Sequence, residues 1–251
     1  MEGGLQVTGI EFRILGPVEI LYNGRKQDPT TPQQRCVLAM LLLDLDHVVP
    51  AGRLVSALWA AAPPAAARNS IRVYVTKLRK LIAADPAVEL VTVGEGWRLS
   101  CDAERVDLYR FRDLVGRARS GAAAEAGGLL REGLALWQGP ALADVSGHRL
   151  TGAVIEGLEN ERLAATEDRI ASDLRADAHR DVVSELLVLV AEHPLRERLA
   201  QLLMAALHGC GRTAEGLEVF HRMRKRLVDE LGIEPSAALR GEHQRLLGAA
   251  G

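Results

Sequence analysis

The spacing of apolar residues along the chain changes period twice. Between residues 10 and 27 apolar positions alternate: Ile10, Phe12 and Ile14, then Val18, Ile20 and Tyr22, with Gly16-Pro17 and Asn23-Gly24 as turns. A period of two marks half-buried strands, so short antiparallel strands are predicted there. Thr31-Pro32 then reads as an N-cap followed by the first helical position. The helix it opens is predicted over about 32–43, with Val37, Leu38, Leu41 and Leu42 on its core side. Pro50 opens a second helix ending near Trp59, with Leu54, Val55 and Leu58 inward, and Pro63-Pro64 breaks the chain. A third helix follows over about 65–83. Alternation returns over 88–101 around Gly94-Glu95-Gly96, with Val91, Val93, Trp97 and Leu99 expected on one side of a β-hairpin. The order is strands, three helices, hairpin.

From Val106 onward the period is helical throughout. Helices are predicted over 107–119, 122–137, 149–175, 179–192, 195–208, 212–230 and 236–247, with a loop holding Gly139-Pro140 and Ser146-Gly147. Residues Asp181 to Leu186 align with Glu215 to Phe220 at an offset of 34, which is the period of tetratricopeptide helix pairs. His193-Pro194 and Gly209-Cys210-Gly211 punctuate the helical hairpins. The fold class expected is mainly α with a small β component. It comprises an N-terminal helix–turn–helix with a hairpin over 1–103 and an all-α, tetratricopeptide-like domain over 104–251.

Composition excludes a disordered chain: of 251 residues 48% are apolar and 25% charged. Aromatics are 4%, so the core is built from Leu, Val and Ala, which suits helix packing. The three cysteines Cys36, Cys101 and Cys210 form no disulfide framework and fit a reducing cytoplasm. The first nine residues lack the features of a signal peptide, and no apolar run reaches the ~18 residues of a membrane span.

The net charge of −2 conceals an asymmetry. Between His47 and Ala84 there is no acid, but there are six cations: Arg53, Arg68, Arg72, Lys77, Arg79 and Lys80. Residues 1–103 hold 11 basic and 10 acidic residues, whereas 104–251 hold 20 and 23. Placed on a helical wheel, the third helix divides. Ile71, Tyr74, Val75, Leu78, Leu81 and Ile82 form a core stripe, while Arg68, Asn69, Arg72, Val73, Thr76, Lys77, Arg79 and Lys80 take the opposite arc. Five cations without an acid repel one another unless phosphates supply the counter-charge. A solvated helix face would instead mix both signs. Asn69 can pair with adenine, and Val73 and Thr76 can touch a thymine methyl. The hairpin is expected to act as a wing, with Arg98 opposite to Trp97 and Leu99. Thr31 and Arg35, at the start of the first helix, are candidates for a phosphate contact, capping being the simpler role of Thr31.

Several segments together resemble one family. They are Leu15-Gly16-Pro17-Val18, Pro32 to Ala39 (PQQRCVLA), Val48-Val49-Pro50, Leu58-Trp59, Ala67 to Val75 (ARNSIRVYV), Gly96-Trp97-Arg98-Leu99, Val106-Asp107, His193 to Glu197 (HPLRE) and Leu231 to Pro235 (LGIEP). The chain resembles the Streptomyces antibiotic regulatory protein (SARP) family of transcription activators along almost its whole length. The resemblance implies a winged helix of the response-regulator output type, followed by a bacterial transcriptional activation domain of tetratricopeptide-like helices. It also implies binding to direct repeats in promoter DNA, a second copy on the DNA, and recruitment of RNA polymerase holoenzyme through its principal sigma factor. The expected role is activation of a secondary-metabolite (antibiotic) cluster. By that comparison the chain is expected to be a small, stand-alone member without a receiver, ATPase or sensor region. Two departures are Trp97, where the family often has Tyr, and His179-Arg180-Asp181, where a Gly-Arg-His-Ala-Glu pattern is usual.

Residues expected to contact DNA are therefore Thr31, Arg35, Arg68, Asn69, Arg72, Val73, Thr76, Lys77, Lys80 and Arg98. No catalytic residue, cofactor, metal or membrane partner is expected. His208, Cys210 and His221 are more simply a helix end with a small thiol than a metal site. There is no phosphate-binding loop ending in Lys-Ser/Thr, and Gly94-Glu95-Gly96 lies in a hairpin. Asp144, Ser146 and His148 lack the strand–turn–helix setting of a nucleophile. The competing reading is a helical-repeat interaction or ligand-sensing protein whose winged helix serves protein contacts. An enzyme is the third.

Overall fold

A computed structural model describes residues 9–27, 29–59, 62–145 and 149–249. Ser146 and His148 lie outside the described residues, as do the first eight. The chain forms two compact units. The first comprises residues up to 119 together with 131–162; the second comprises 120–130 together with 163 onward. Among the described residues no helix is long and apolar enough to cross a membrane.

The first unit begins with an antiparallel meander of β1 (Ile10–Arg13), β2 (Glu19–Tyr22) and β3 (Arg25–Lys26). Ile10 pairs with Tyr22 and Phe12 with Ile20, so Ile10, Phe12 and Ile20 all face the core and are buried. Three helices follow: α1 (Pro32–Leu43), α2 (Ala51–Trp59) and α3 (Ala67–Ile82). Thr31 caps α1 as predicted, its hydroxyl accepting from the N–H of Gln34. Burial of α1 goes beyond the predicted stripe: every residue from Cys36 to Leu42 is buried, so it is the central helix of the unit. β4 (Val49–Pro50) pairs with β6 (Gly96–Ser100), which pairs with β5 (Glu89–Val93), giving a winged helix.

The face assignment within the hairpin differs from expectation. The two-residue turn Gly94-Glu95 pairs Val93 with Gly96, Thr92 with Trp97, Val91 with Arg98 and Leu90 with Leu99. Directly opposed residues share a face. Val91 and Val93 therefore lie with Arg98, and the core face carries Leu90, Trp97 and Leu99, all buried. Alternation alone put Val91 and Val93 on the side of Trp97 and Leu99; the turn length sets the register by one residue the other way.

Two carboxylates satisfy the backbone around β1. Ile10 N–H donates to Asp85 at 2.7 Å, and Arg105 pairs with the same carboxylate at 2.6 Å. At the other end Ile14 N–H and Leu15 N–H donate to Asp107, at the start of α4 (Asp107–Ser120), with distances of 2.9–3.0 Å. The backbone of 14–18 then meets residues 138–144. Gln138 and Leu142 N–H groups donate to the carbonyls of Leu15 and Ile14, Ala143 N–H to that of Gly16, and Val18 N–H to Asp144. The Ile14, Leu15 and Val18 N–H groups and the Ile14, Leu15 and Gly16 carbonyls of this non-strand segment are thus paired. Tyr109 on α4 donates its hydroxyl to the carbonyls of Leu42 and Leu43 at the end of α1. α5 (Ala123–Ala135) follows.

In the second unit the C-terminal part of α6 (Arg149–Arg175) is followed by α7 (His179–Glu192), α8 (Glu197–Gly209), α9 (Thr213–Leu231) and α10 (Ala237–Ala249). α8 packs against α7, α9 and α10. The two segments related by 34 residues lie in α7 and α9, the first helices of successive pairs. Leu186, Leu199, Leu203, Met204, Phe220, Leu239 and Leu246 belong to one core. Buried Glu167 receives Arg196 at 2.8 and 3.1 Å. The departure at His179 has a local compensation: a Cβ at Gly209 would overlap its imidazole, so the glycine gives the ring room. All helix ends fall within two residues of those predicted.

The two carboxyls respond oppositely to their surroundings. The Ile10 N–H holds the Asp85 carboxyl below its ordinary 3.8, burial opposes this, and the Ala87 N–H and Arg105 add to the lowering. Burial pushes Asp107 up to about 6 against the pull of the Leu15, Ile14 and Leu108 N–H groups. A depressed carboxyl contributes stability that is present above its ordinary pKa and lost as pH falls through the folded value. Asp85→Asn and Asp107→Asn each put an NH2 donor where a carboxylate oxygen accepts a backbone N–H, and each is expected to cost about 1–3 kcal/mol at pH 7. Thermal melts below pH 4 separate them: D85N loses part of the wild-type acid sensitivity, and D107N keeps it. An unchanged acid limb in D85N would contradict the role given to Asp85.

Candidate nucleic-acid interface

The rotation of α3 is set by its apolar stripe. Ile71, Val75, Leu78 and Ile82 are buried at 4% exposure or less, and Tyr74 and Leu81 are half-buried. That places Arg68, Asn69, Arg72, Val73, Thr76, Lys77 and Lys80 together on the exposed side. Val73 is 45% exposed, an apolar residue left in solvent at the centre of a basic face. The Thr76 hydroxyl donates to the carbonyl of Arg72 at 2.9 Å, leaving its methyl and lone pairs as what it can offer a ligand. The α3 N-terminus carries no side-chain cap, its N-cap position being Ala66.

Tertiary structure supplies partners that the primary pattern lacked. Arg79 is half-buried and clamps the hairpin: its Nε donates to the Leu90 carbonyl at 2.7 Å and its Nη2 to Thr92 Oγ1 at 2.9 Å. Arg68 lies 3.5 Å from Glu95 at the hairpin tip, and Arg53 pairs with Asp44. The face is therefore not five free cations. The side chains of Arg72, Lys77 and Lys80 make neither an ion pair nor a hydrogen bond with a described residue, and they follow one another along the helix.

Of the remaining predicted residues, Arg98 lies on β6, and Thr31 and Arg35 lie at the start of α1. Arg98 is half-buried between buried Trp97 and Leu99, and its Nε has no hydrogen-bond partner among the described residues. Thr31 is engaged in capping. Arg35 pairs with Asp144 at 3.2 Å, its side chain 26% exposed. A phosphate at α1 would have to replace Asp144 as the partner of Arg35. His208 Nδ1 bonds Thr213 Oγ1 at 3.0 Å, while His221 sits edge-on to the stacked pair Phe220–His243. No group of three metal-ligating side chains forms among the described residues.

Sequence reasoning missed Arg79 as a clamp and Glu95 as a partner of the basic face. The signal for Glu95 was its place between two glycines in the hairpin turn. The signal for Arg79 was its position at the edge of the basic arc, next to the core stripe.

Comparison with known proteins is consistent along the chain. The family described as Bacterial transcriptional activator domain matches residues 106–247, and that described as Transcriptional regulatory protein, C terminal, matches residues 26–99. Regulatory protein DnrI of Streptomyces peucetius is 35% identical over 254 residues, covering 96% of this chain and 93% of DnrI. Regulatory protein AfsR of Streptomyces coelicolor is 41% identical over 245 residues, covering 96% of this chain and 24% of AfsR. The chain thus spans about a quarter of the AfsR relatives it matches. Among solved structures, Mycobacterium tuberculosis EmbR in complex with a low-affinity phosphopeptide superposes with a TM-score of 0.89 at 32% identity. That match covers 97% of this chain and 66% of EmbR.

The clamp of Arg79 is testable without any ligand. Arg79→Ala is expected to speed amide exchange in β5 and β6 while α1 and the meander exchange as before. Arg79→Lys restores part of the protection, because an ammonium cannot reproduce the two-armed geometry. Unchanged hairpin exchange in both variants would contradict the clamp.

Proposed function

The chain is a member of the Streptomyces antibiotic regulatory protein family of transcriptional regulators, and on that premise we propose that it is a cytoplasmic, sequence-specific activator of a secondary-metabolite cluster. The observation that carries this reading is the exposed side of α3. Arg72, Val73, Thr76 and Lys77 would meet base edges in a major groove, with Arg68 and Asn69 at the N-terminal end of the helix. Lys80, the wing residue Arg98 and, flanking them, Thr31 and Arg35 would contact phosphates.

The second unit would serve the polymerase. It offers paired helices and an apolar groove of about 240 Å³ lined by Leu187, Val190, Pro194, Leu203 and Met223, with Arg222 and Arg226 beside it. Repeated helix pairs present such surfaces to protein partners. The partner inferred from the family is RNA polymerase holoenzyme with its principal sigma factor. One recognition helix reads only about 4–5 base pairs, too few for selectivity in a genome, so two copies on direct repeats are proposed. Both helices then enter one face of the duplex about 10–11 base pairs apart.

Binding to the native upstream promoter duplex, titrated against salt, tests the reading. With roughly 5–8 phosphates neutralised per protomer, log K falls with log[salt] at about −0.9 per contact. Arg72→Ala is expected to cost about 1–3 kcal/mol in binding, to relax preference at one base pair, and to leave the melting temperature unchanged. Leu78→Ala, in the core stripe, instead costs about 2–5 kcal/mol of stability. Salt-independent binding, or an Arg72→Ala variant with undiminished affinity, would overturn the assignment.

A further inference from the structure

The tip of the hairpin is held in place by backbone contacts. The N–H of Ala51, the first residue of α2, donates to the Glu95 carbonyl at 3.0 Å. Gly96 lies so close to β4 that a Cβ there would meet the Val49 carbonyl oxygen at 2.6 Å. With Arg79 holding β5 against α3, the turn that carries Glu95 is fixed relative to the reading helix. From this turn the Glu95 carboxylate comes within 3.5 Å of the Arg68 guanidinium, their side chains 84% and 65% exposed. Among the described residues no other carboxylate lies within 4.0 Å of a cation on the exposed side of α3.

An exposed pair of this kind contributes little to stability, so folding does not explain its position. Its chemistry does bear on binding. A carboxylate facing a guanidinium occupies the place that a phosphate oxygen would take. We propose that Glu95 is a built-in phosphate competitor: it holds Arg68 in the free protein and must be displaced before Arg68 engages DNA. The proposal rests on the DNA-binding reading above and assigns a residue outside the expected contact set. Its consequence is that Arg68 contributes less to the salt-dependent part of binding while Glu95 is present than it does without it. The residue thereby restrains indiscriminate attachment to the polyanion, at some loss of affinity.

A double-mutant cycle on the full chain, with the native promoter duplex and a random duplex as probes, tests this. Glu95→Gln is expected to tighten binding roughly two- to fivefold at about 0.1 M salt, and to steepen the salt slope by about one contact. In the Arg68→Ala background the same change has almost no effect. Arg68→Ala flattens the slope less in the wild-type background than in the Glu95→Gln background. If instead the gain from Glu95→Gln persists undiminished without Arg68, the carboxylate acts only as a general negative charge and the proposal falls, with the DNA reading intact. If Glu95→Gln leaves both affinity and slope unchanged while wild type binds, the proposal also falls. If none of the variants binds either duplex, both readings fail.

Discussion

Everything proposed for the basic face depends on the burial of one side of α3. Ile71, Val75, Leu78 and Ile82 fill the core of the first unit, and turning the helix to hide a cation would expose this stripe. A single Leu side chain returned to water costs about 1.5–3 kcal/mol, so four such residues fix the rotation firmly. Arg72, Lys77 and Lys80 are therefore held in solvent by the packing of their neighbours, without ion pairs to offset their repulsion. Arg79, at the boundary, ties the helix to the hairpin beside it. The same core that gives the unit its stability thus presents its charge.

The support for that core reaches further along the chain than the winged helix alone. Asp107 accepts the Ile14 and Leu15 N–H groups, Tyr109 bonds the end of α1, and residues 138–144 pair with the backbone of 14–18. These contacts belong to the first compact unit, which continues through residue 119 and resumes at 131–162. A division between residues 103 and 104 would leave buried donors and carbonyls of the N-terminal strands unpaired, each at a cost of about 1–3 kcal/mol.

What could be read from the sequence were the local features. The 3.6-residue period placed every helix, Thr31-Pro32 marked the start of α1, and the stripe in α3 identified the exposed cations. Less legible were relations set by register and by distance along the chain. The faces of the hairpin depended on the two-residue turn that pairs Val93 with Gly96, which alternation cannot reveal. The bonds from Ile10 to Asp85 and from Ile14 to Asp107 join residues 75 and 93 positions apart. The partners of Arg68 and Arg35, Glu95 and Asp144, are likewise remote in sequence. A count of charges along α3 therefore overstated how many of its cations stand free.

The central claim, that the exposed side of α3 enters the DNA groove, is tested most directly by photo-crosslinking from one position. Val73 on α3 and Val188 on α7 are both exposed apolar residues, at 45% and 55%, so replacing either by p-benzoylphenylalanine leaves its core untouched. With labelled native promoter duplex, the account predicts that Val73→p-benzoylphenylalanine crosslinks to bases within the bound site, competed by unlabelled promoter more than by random duplex, and that the Val188 variant does not. Crosslinks to DNA from the Val188 variant, with none from the Val73 variant, would contradict it.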